Sequence, residues 1–95
     1  MALRWETEHG RMTLFGEFDV AVADEAAAAL EHLLARRPAA VVIDLTGLEF
    51  MDSTGVKFLL DGREAARAGG VALSITGAAG TVLRVLEVSG AITLF

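Results

Sequence analysis

Ala39-Ala40-Val41-Val42-Ile43-Asp44-Leu45 is followed by Thr46-Gly47-Leu48-Glu49-Phe50-Met51-Asp52 and then by Ser53-Thr54-Gly55-Val56-Lys57-Phe58-Leu59-Leu60. The first stretch holds Val41-Val42-Ile43, a continuous apolar run rich in β-branched residues, the pattern of a parallel strand covered on both faces. The second, Thr46 to Asp52, reads as a loop. The third opens a helix, Ser53 to Ala68, which Gly69-Gly70 ends. A buried strand leading through a loop into a helix is half of a βαβ unit, and it sets the α/β class.

The flanks agree with that core. Downstream, Val71 to Ile75 is another strand, Gly77 to Gly80 a loop and Thr81 to Val88 a short helix ended by Ser89-Gly90. Ala91 to Phe95 reads as a last short strand. Upstream, Leu3 to Glu8 alternates apolar and polar, as a half-buried strand does. His9-Gly10 is a hairpin turn, and Met12 to Phe15 is a second strand closed by Gly16. From Val20 to Arg36 the pattern is helical, with Ala23, Ala26, Ala27, Leu30, Leu33 and Leu34 on one side. Asp19 is placed to cap this helix and Pro38 closes it. The order β-β-α-β-α-β-α-β predicts a mostly parallel sheet of four to five strands with an N-terminal antiparallel hairpin strand and right-handed crossovers. Functional groups then belong at the carboxyl ends of the strands: Gly16–Asp19, Asp44–Ser53 and Gly77–Gly80.

Composition narrows the function. At 95 residues the chain has room for one domain, 1–95, and 54% hydrophobic residues exclude a disordered chain. No apolar run approaches the length of a membrane span, and Met1 to Glu8 lacks the basic start and apolar stretch of a signal peptide, so a cytoplasmic location is expected. Cysteine is absent and His9 and His32 are the two histidines, which excludes disulfides, thiolate metal sites and a histidine-rich metal site. The net charge of −5, with Arg36-Arg37 the single tight basic pair, argues against nucleic acid and against anionic membranes. Gly77 to Gly80 has too few glycines in register for a nucleotide loop, so no cofactor is implied.

The chemistry concentrates at Asp52-Ser53-Thr54. All three residues suit a helix start, and one reading is that they only cap. The other uses the same geometry. A helix N-terminus offers free N–H groups and partial positive charge, so a phosphate on Ser53, with Thr54 as second acceptor, would sit there without melting the helix. Asp52, with Asp19 and Asp44, is expected close by at the same sheet edge, so phosphorylation would turn an acidic patch strongly negative and repel a docked partner. On the helix, Gly55, Leu59, Gly62 and Ala66 share one side and would let it lie close to the sheet, while Lys57, Leu60, Asp61 and Glu64 point outward. Lys57 and Leu60 are candidate partner contacts; an ordinary exposed leucine is the other account of Leu60. Neither histidine stands at convincing spacing from Ser53 for a catalytic triad, and no enzymatic activity is expected.

Phe50-Met51-Asp52-Ser53-Thr54-Gly55 closely resembles the signature of bacterial anti-sigma factor antagonists, the STAS-domain family. Gly16-Glu17-Phe18-Asp19 resembles the family's Gly-Glu-Leu-Asp turn, and Arg84 with Glu87-Val88-Ser89-Gly90 resembles its third helix and Ser-Gly ending. The match runs from about Leu14 to Phe95. The resemblance implies a switch: the serine matching Ser53 is phosphorylated by the anti-sigma factor, a serine kinase of the histidine-kinase-like ATPase type. Unphosphorylated antagonist binds that kinase and frees the sigma factor; phosphorylated antagonist is released; a serine phosphatase restores it. The aspartate matching Asp19 lies near the serine. The sequence departs from the family pattern at Val20 to Ala23, which lack the usual polar residues, and at Lys57, where glycine is usual. Family members usually continue past the last strand into another helix, which is expected to be missing here. STAS domains also serve in scaffolds, lipid-transport complexes and anion transporters, so a non-switching subunit is the alternative.

Overall fold

His9 and Gly10 both adopt the left-handed backbone, with φ of 50° and 76°, in the computed structural model, which describes residues 3–95. Two successive positive φ angles make the turn whose twist matches a two-stranded hairpin. It joins β1 (Arg4–Glu8) to β2 (Arg11–Phe18), paired antiparallel from Arg4↔Phe15 to Glu8↔Arg11. There follow α1 (Val20–Ala35), β3 (Ala40–Met51), α2 (Ser53–Ala68), β4 (Ala72–Thr76), α3 (Gly80–Ser89) and a short 3-10 helix (Ala91–Leu94). The sheet has four strands in the order β1-β2-β3-β4, with β2, β3 and β4 parallel.

That sequential order decides where the helices lie. Two right-handed crossovers stepping the same way across a sheet put their helices on the same face. Met12, Leu14, Val41, Ile43 and Leu45 point to that face and are buried with Leu30 of α1, Phe58 and Leu59 of α2, and Val82 and Leu86 of α3. The alternate positions, Arg11, Thr13, Phe15, Val42 and Asp44, are half-buried or exposed on the other face. The apolar run at Val41-Val42-Ile43 predicts two covered faces; among the described residues helices cover one, and Val42 stays half-buried on the open side.

Two glycines set how closely the helices pack. A Cβ on Gly55 would stand 2.8 Å from Met51 Cβ, so this turn of α2 lies on β3 as its glycine predicts. A Cβ on Gly62 would meet Leu30 Cδ2 at 2.6 Å, so the second glycine admits α1 rather than the sheet. The Phe18 and Phe58 rings, with centroids 4.9 Å apart, close the core between β2 and α2.

Three sequence expectations are corrected. Gly16 does not close β2; it has φ of 89° at a register shift, and the strand continues to Phe18. Thr46 to Asp52 is not a loop, because β3 runs on to Met51 beside β2. Ala91 to Phe95 is not a strand: Gly90 turns left-handed, the Thr93 hydroxyl donates to Gly90 O at 2.8 Å, and Arg63 Nε donates to Leu94 O at 2.9 Å. Local bonds of this kind hold a short segment out of a sheet ladder.

Candidate functional site

Because Phe18 pairs with Met51, the chain leaves β2 and β3 at the same level, and the next residue on each strand is an aspartate. Each aspartate caps the helix that follows. Asp19 Oδ1 accepts from Ala21 N–H and Asp52 Oδ1 from Thr54 N–H, both at 2.9 Å. The two helix N-termini therefore open side by side.

Ser53 is the first residue of α2 and is exposed. Asp52 supplies the side-chain cap, and the Ser53 hydroxyl makes no hydrogen bond to the described residues. Thr54 is half-buried behind it, its N–H taken by Asp52. Two apolar side chains stand open at this end: Val20, the first residue of α1, is 77% exposed, and Phe50 is 44% exposed.

From this end a groove of about 410 Å³ runs between α1 and α2. Ala27, Leu30, Phe58 and Gly62 form its apolar side; Asp24 and Glu31 of α1 and Lys57 and Asp61 of α2 stand along its lips, with Ser53 and Thr54 at its mouth. Small residues keep the helices from filling the space between them. The Lys57 ammonium donates to Asp61 one turn on, and that hydrogen bond and charge raise its pKa above the usual lysine value. Leu60 is half-buried against the core and does not line the groove.

Asp44 lies elsewhere, contrary to the expectation that it joins this edge. Since β3 continues past it, seven residues lie between it and Asp52, on the order of 25 Å along the strand. It pairs with Thr76 at the end of β4, and its carboxylate accepts from Thr46 N–H at 2.9 Å and Arg11 Nη2 at 2.7 Å. Bonds from the Thr46 hydroxyl and N–H, then from Arg11, lower its pKa from 3.8 to about 2. The Gly77 to Gly80 turn sits at that level too, against Thr46 and Asp44. No group of His, Cys, Asp and Glu among the described residues could hold a metal ion, and no helix among them is long and apolar enough to cross a membrane.

A family model described as Mlab, STAS domain, matches residues 1–94. The chain belongs to the STAS-domain family. A search of curated proteins finds no match. Among solved structures, this STAS domain is similar to an anti-sigma factor antagonist from Mycobacterium paratuberculosis, with 27% identity and a TM-score of 0.77 over 99% of this chain and 81% of that one. It shares its fold with the anti-sigma factor antagonist SpoIIAA in its unphosphorylated form, at 23% identity and a TM-score of 0.76 over 94% and 81% of the two chains. The STAS domain of a SulP transporter from Vibrio cholerae matches at 26% identity with a TM-score of 0.67, over 86% and 63%.

Of the residues singled out in the sequence, the STAS fold brings Asp19, Asp52, Ser53 and Thr54 together, with Lys57 one turn further along α2, and leaves Leu60 and Asp44 outside. The exposed Val20 and the groove lips Asp24 and Asp61 carry no motif, and Phe50, though it opens the signature stretch, is not singled out by it as a contact.

Proposed function

We propose that this STAS domain is an anti-sigma factor antagonist that docks a serine kinase through the Asp19–Asp52 end and is released when Ser53 is phosphorylated. One observation carries the reading: Ser53 stands exposed at the mouth of α2 with a hydroxyl that bonds to none of the described residues, while Asp52 does the capping, so the hydroxyl is open to a kinase. In the reaction the Ser53 oxygen takes the γ-phosphoryl group of ATP, the bond to ADP breaks, and the hydroxyl proton passes to a base of the kinase. The product adds about −1.5 to −2 charges beside Asp52 and Asp19. A partner packed over Val20 and Phe50 meets that charge at the contact, and the complex separates. A serine phosphatase reverses it. The partner's sigma factor is free for transcription while the unphosphorylated form holds the kinase, which places the cycle in the cytoplasm.

The test is to incubate the domain with candidate serine kinases of the histidine-kinase-like ATPase type and ATP, and to locate added phosphate by mass spectrometry. Phosphate on Ser53, and loss of kinase binding by Ser53→Asp with the fold intact, support the reading. Phosphate elsewhere, or tight binding by Ser53→Asp, overturns it.

Two observations favour a second reading, a non-switching subunit of a scaffold or lipid-transport complex. The matching family model is described for Mlab, and one structural neighbour is the STAS domain of a transporter. On that reading the same end binds its partner whether or not ATP is present, and no phosphate appears.

A further inference from the structure

Ser53, Lys57 and Asp61 follow at four-residue steps along α2, so each stands about one turn from the next on the same side of the helix. All three line the groove, and among its described lining residues Lys57 is the one cation. Its ammonium is engaged toward the C-terminal neighbour, Asp61, in a pair whose side chains are 75% and 65% exposed. We infer, on the reading that Ser53 accepts phosphate, that Lys57 is a movable counter-ion that leaves Asp61 and closes over the phosphate on Ser53.

Three comparisons decide the direction of the move. An acid placed four residues before a lysine interacts better than one placed four residues after it, because the helix dipole favours the first arrangement. Phosphorylated Ser53 would hold the better place; Asp61 holds the poorer one. The phosphate carries nearly twice the charge of a carboxylate. The present pair is exposed and held weakly, and a lysine stem swings freely between turns. Asp24 on α1 faces Lys57 across the groove and attracts it in either state.

The consequence reaches past the mouth of the helix. When Lys57 turns toward Ser53, Asp61 loses its ion-pair partner and the charge along the α2 lip of the groove becomes more negative beside Glu31 and Asp24. One modification then alters the charge of the groove over two turns of α2.

The test needs no kinase. Phosphoserine is installed at position 53 during synthesis, and the second phosphate pKa is read by phosphorus NMR in the otherwise unaltered chain and in Lys57→Gln, Lys57→Arg and Asp61→Asn backgrounds, with amide spectra confirming the fold. The expected result is a pKa lower by about 0.3 unit or more with lysine than with glutamine. Arginine restores it, and Asp61→Asn lowers it further by releasing Lys57 in advance. Asp19, Asp52, Asp24 and Glu31 act alike in the lysine, glutamine and arginine forms, so the difference isolates position 57. Equal values with lysine and glutamine overturn the inference. Failure of any kinase to modify Ser53 would leave this measurement untouched, and equal values would leave the partner switch standing.

Discussion

Asp19 and Asp52 occupy equivalent positions: each follows one member of the registered Phe18↔Met51 pair, and each caps its helix through a 2.9 Å bond to the N–H two residues on. The family-like turn Gly16-Glu17-Phe18-Asp19 and the motif around Ser53 are thus two copies of one local device, set next to each other by strand register. Neighbours differ in what they do for the fold: Asp52 holds the helix and Ser53 is left exposed.

That division separates two variants. Asp52→Ala removes a cap and is expected to cost about 1 kcal/mol, within a range of roughly 0.5–2. Ser53→Ala removes an exposed hydroxyl that bonds to none of the described residues and should stay within about 0.5 kcal/mol of the parent. Urea unfolding of both checks the order; a larger loss for Ser53→Ala would mean that the serine hydroxyl holds the helix after all.

Val20 and Phe50 are expected to matter more for binding than for folding. Val20→Ser leaves the melting temperature nearly unchanged, since that side chain is 77% exposed, and Phe50→Ser, at 44% exposed, lowers it modestly. Affinity for the docking partner falls by about tenfold or more if these residues anchor it. Calorimetric titration with the partner reads the effect directly.

The glycines of α2 predict unequal costs. In Gly55→Ala the new methyl meets the Met51 Cβ, an atom fixed to the β3 backbone, and about 1–3 kcal/mol of destabilisation is expected from overpacking. In Gly62→Ala it meets the terminal Cδ2 of Leu30, which can rotate away, and the cost is smaller. Thermal unfolding of the two variants side by side tests the ranking.

Asp44 gives the acid limb of stability. Its carboxyl titrates at about 2 in the folded chain against 3.8 ordinarily, so on acidification the unfolded chain takes up the proton first. The stabilisation is complete above about pH 5 and is lost progressively as the pH falls through about 2. Asp44→Asn removes this dependence, and denaturation midpoints measured through that range should show a shallower slope.

Much of this was legible in the chain. The α2 boundaries follow from Asp52 and Gly69-Gly70 because capping is local chemistry, and the hairpin follows from His9-Gly10 for the same reason. The second half of β3 was not legible. Its buried residues Leu45, Leu48 and Met51 fall three apart, since two register shifts insert extra residues opposite β2. A strand interrupted in this way loses its two-residue alternation and looks like a loop. The same break misplaced Asp44, which reads as a strand end when β3 is cut at Leu45. The groove escaped because it depends on the spacing between two helices, which no local pattern records.

The neighbour-to-neighbour strand order has a consequence for how the chain assembles. Every strand after β1 pairs with the one made just before it, so no segment waits for a distant mate before it can add to the sheet. Each parallel pairing spans one crossover helix, and a growing chain can lay down the sheet from β1 outward. The end bearing Ser53 takes shape once β3 has docked on β2, before β4 has arrived.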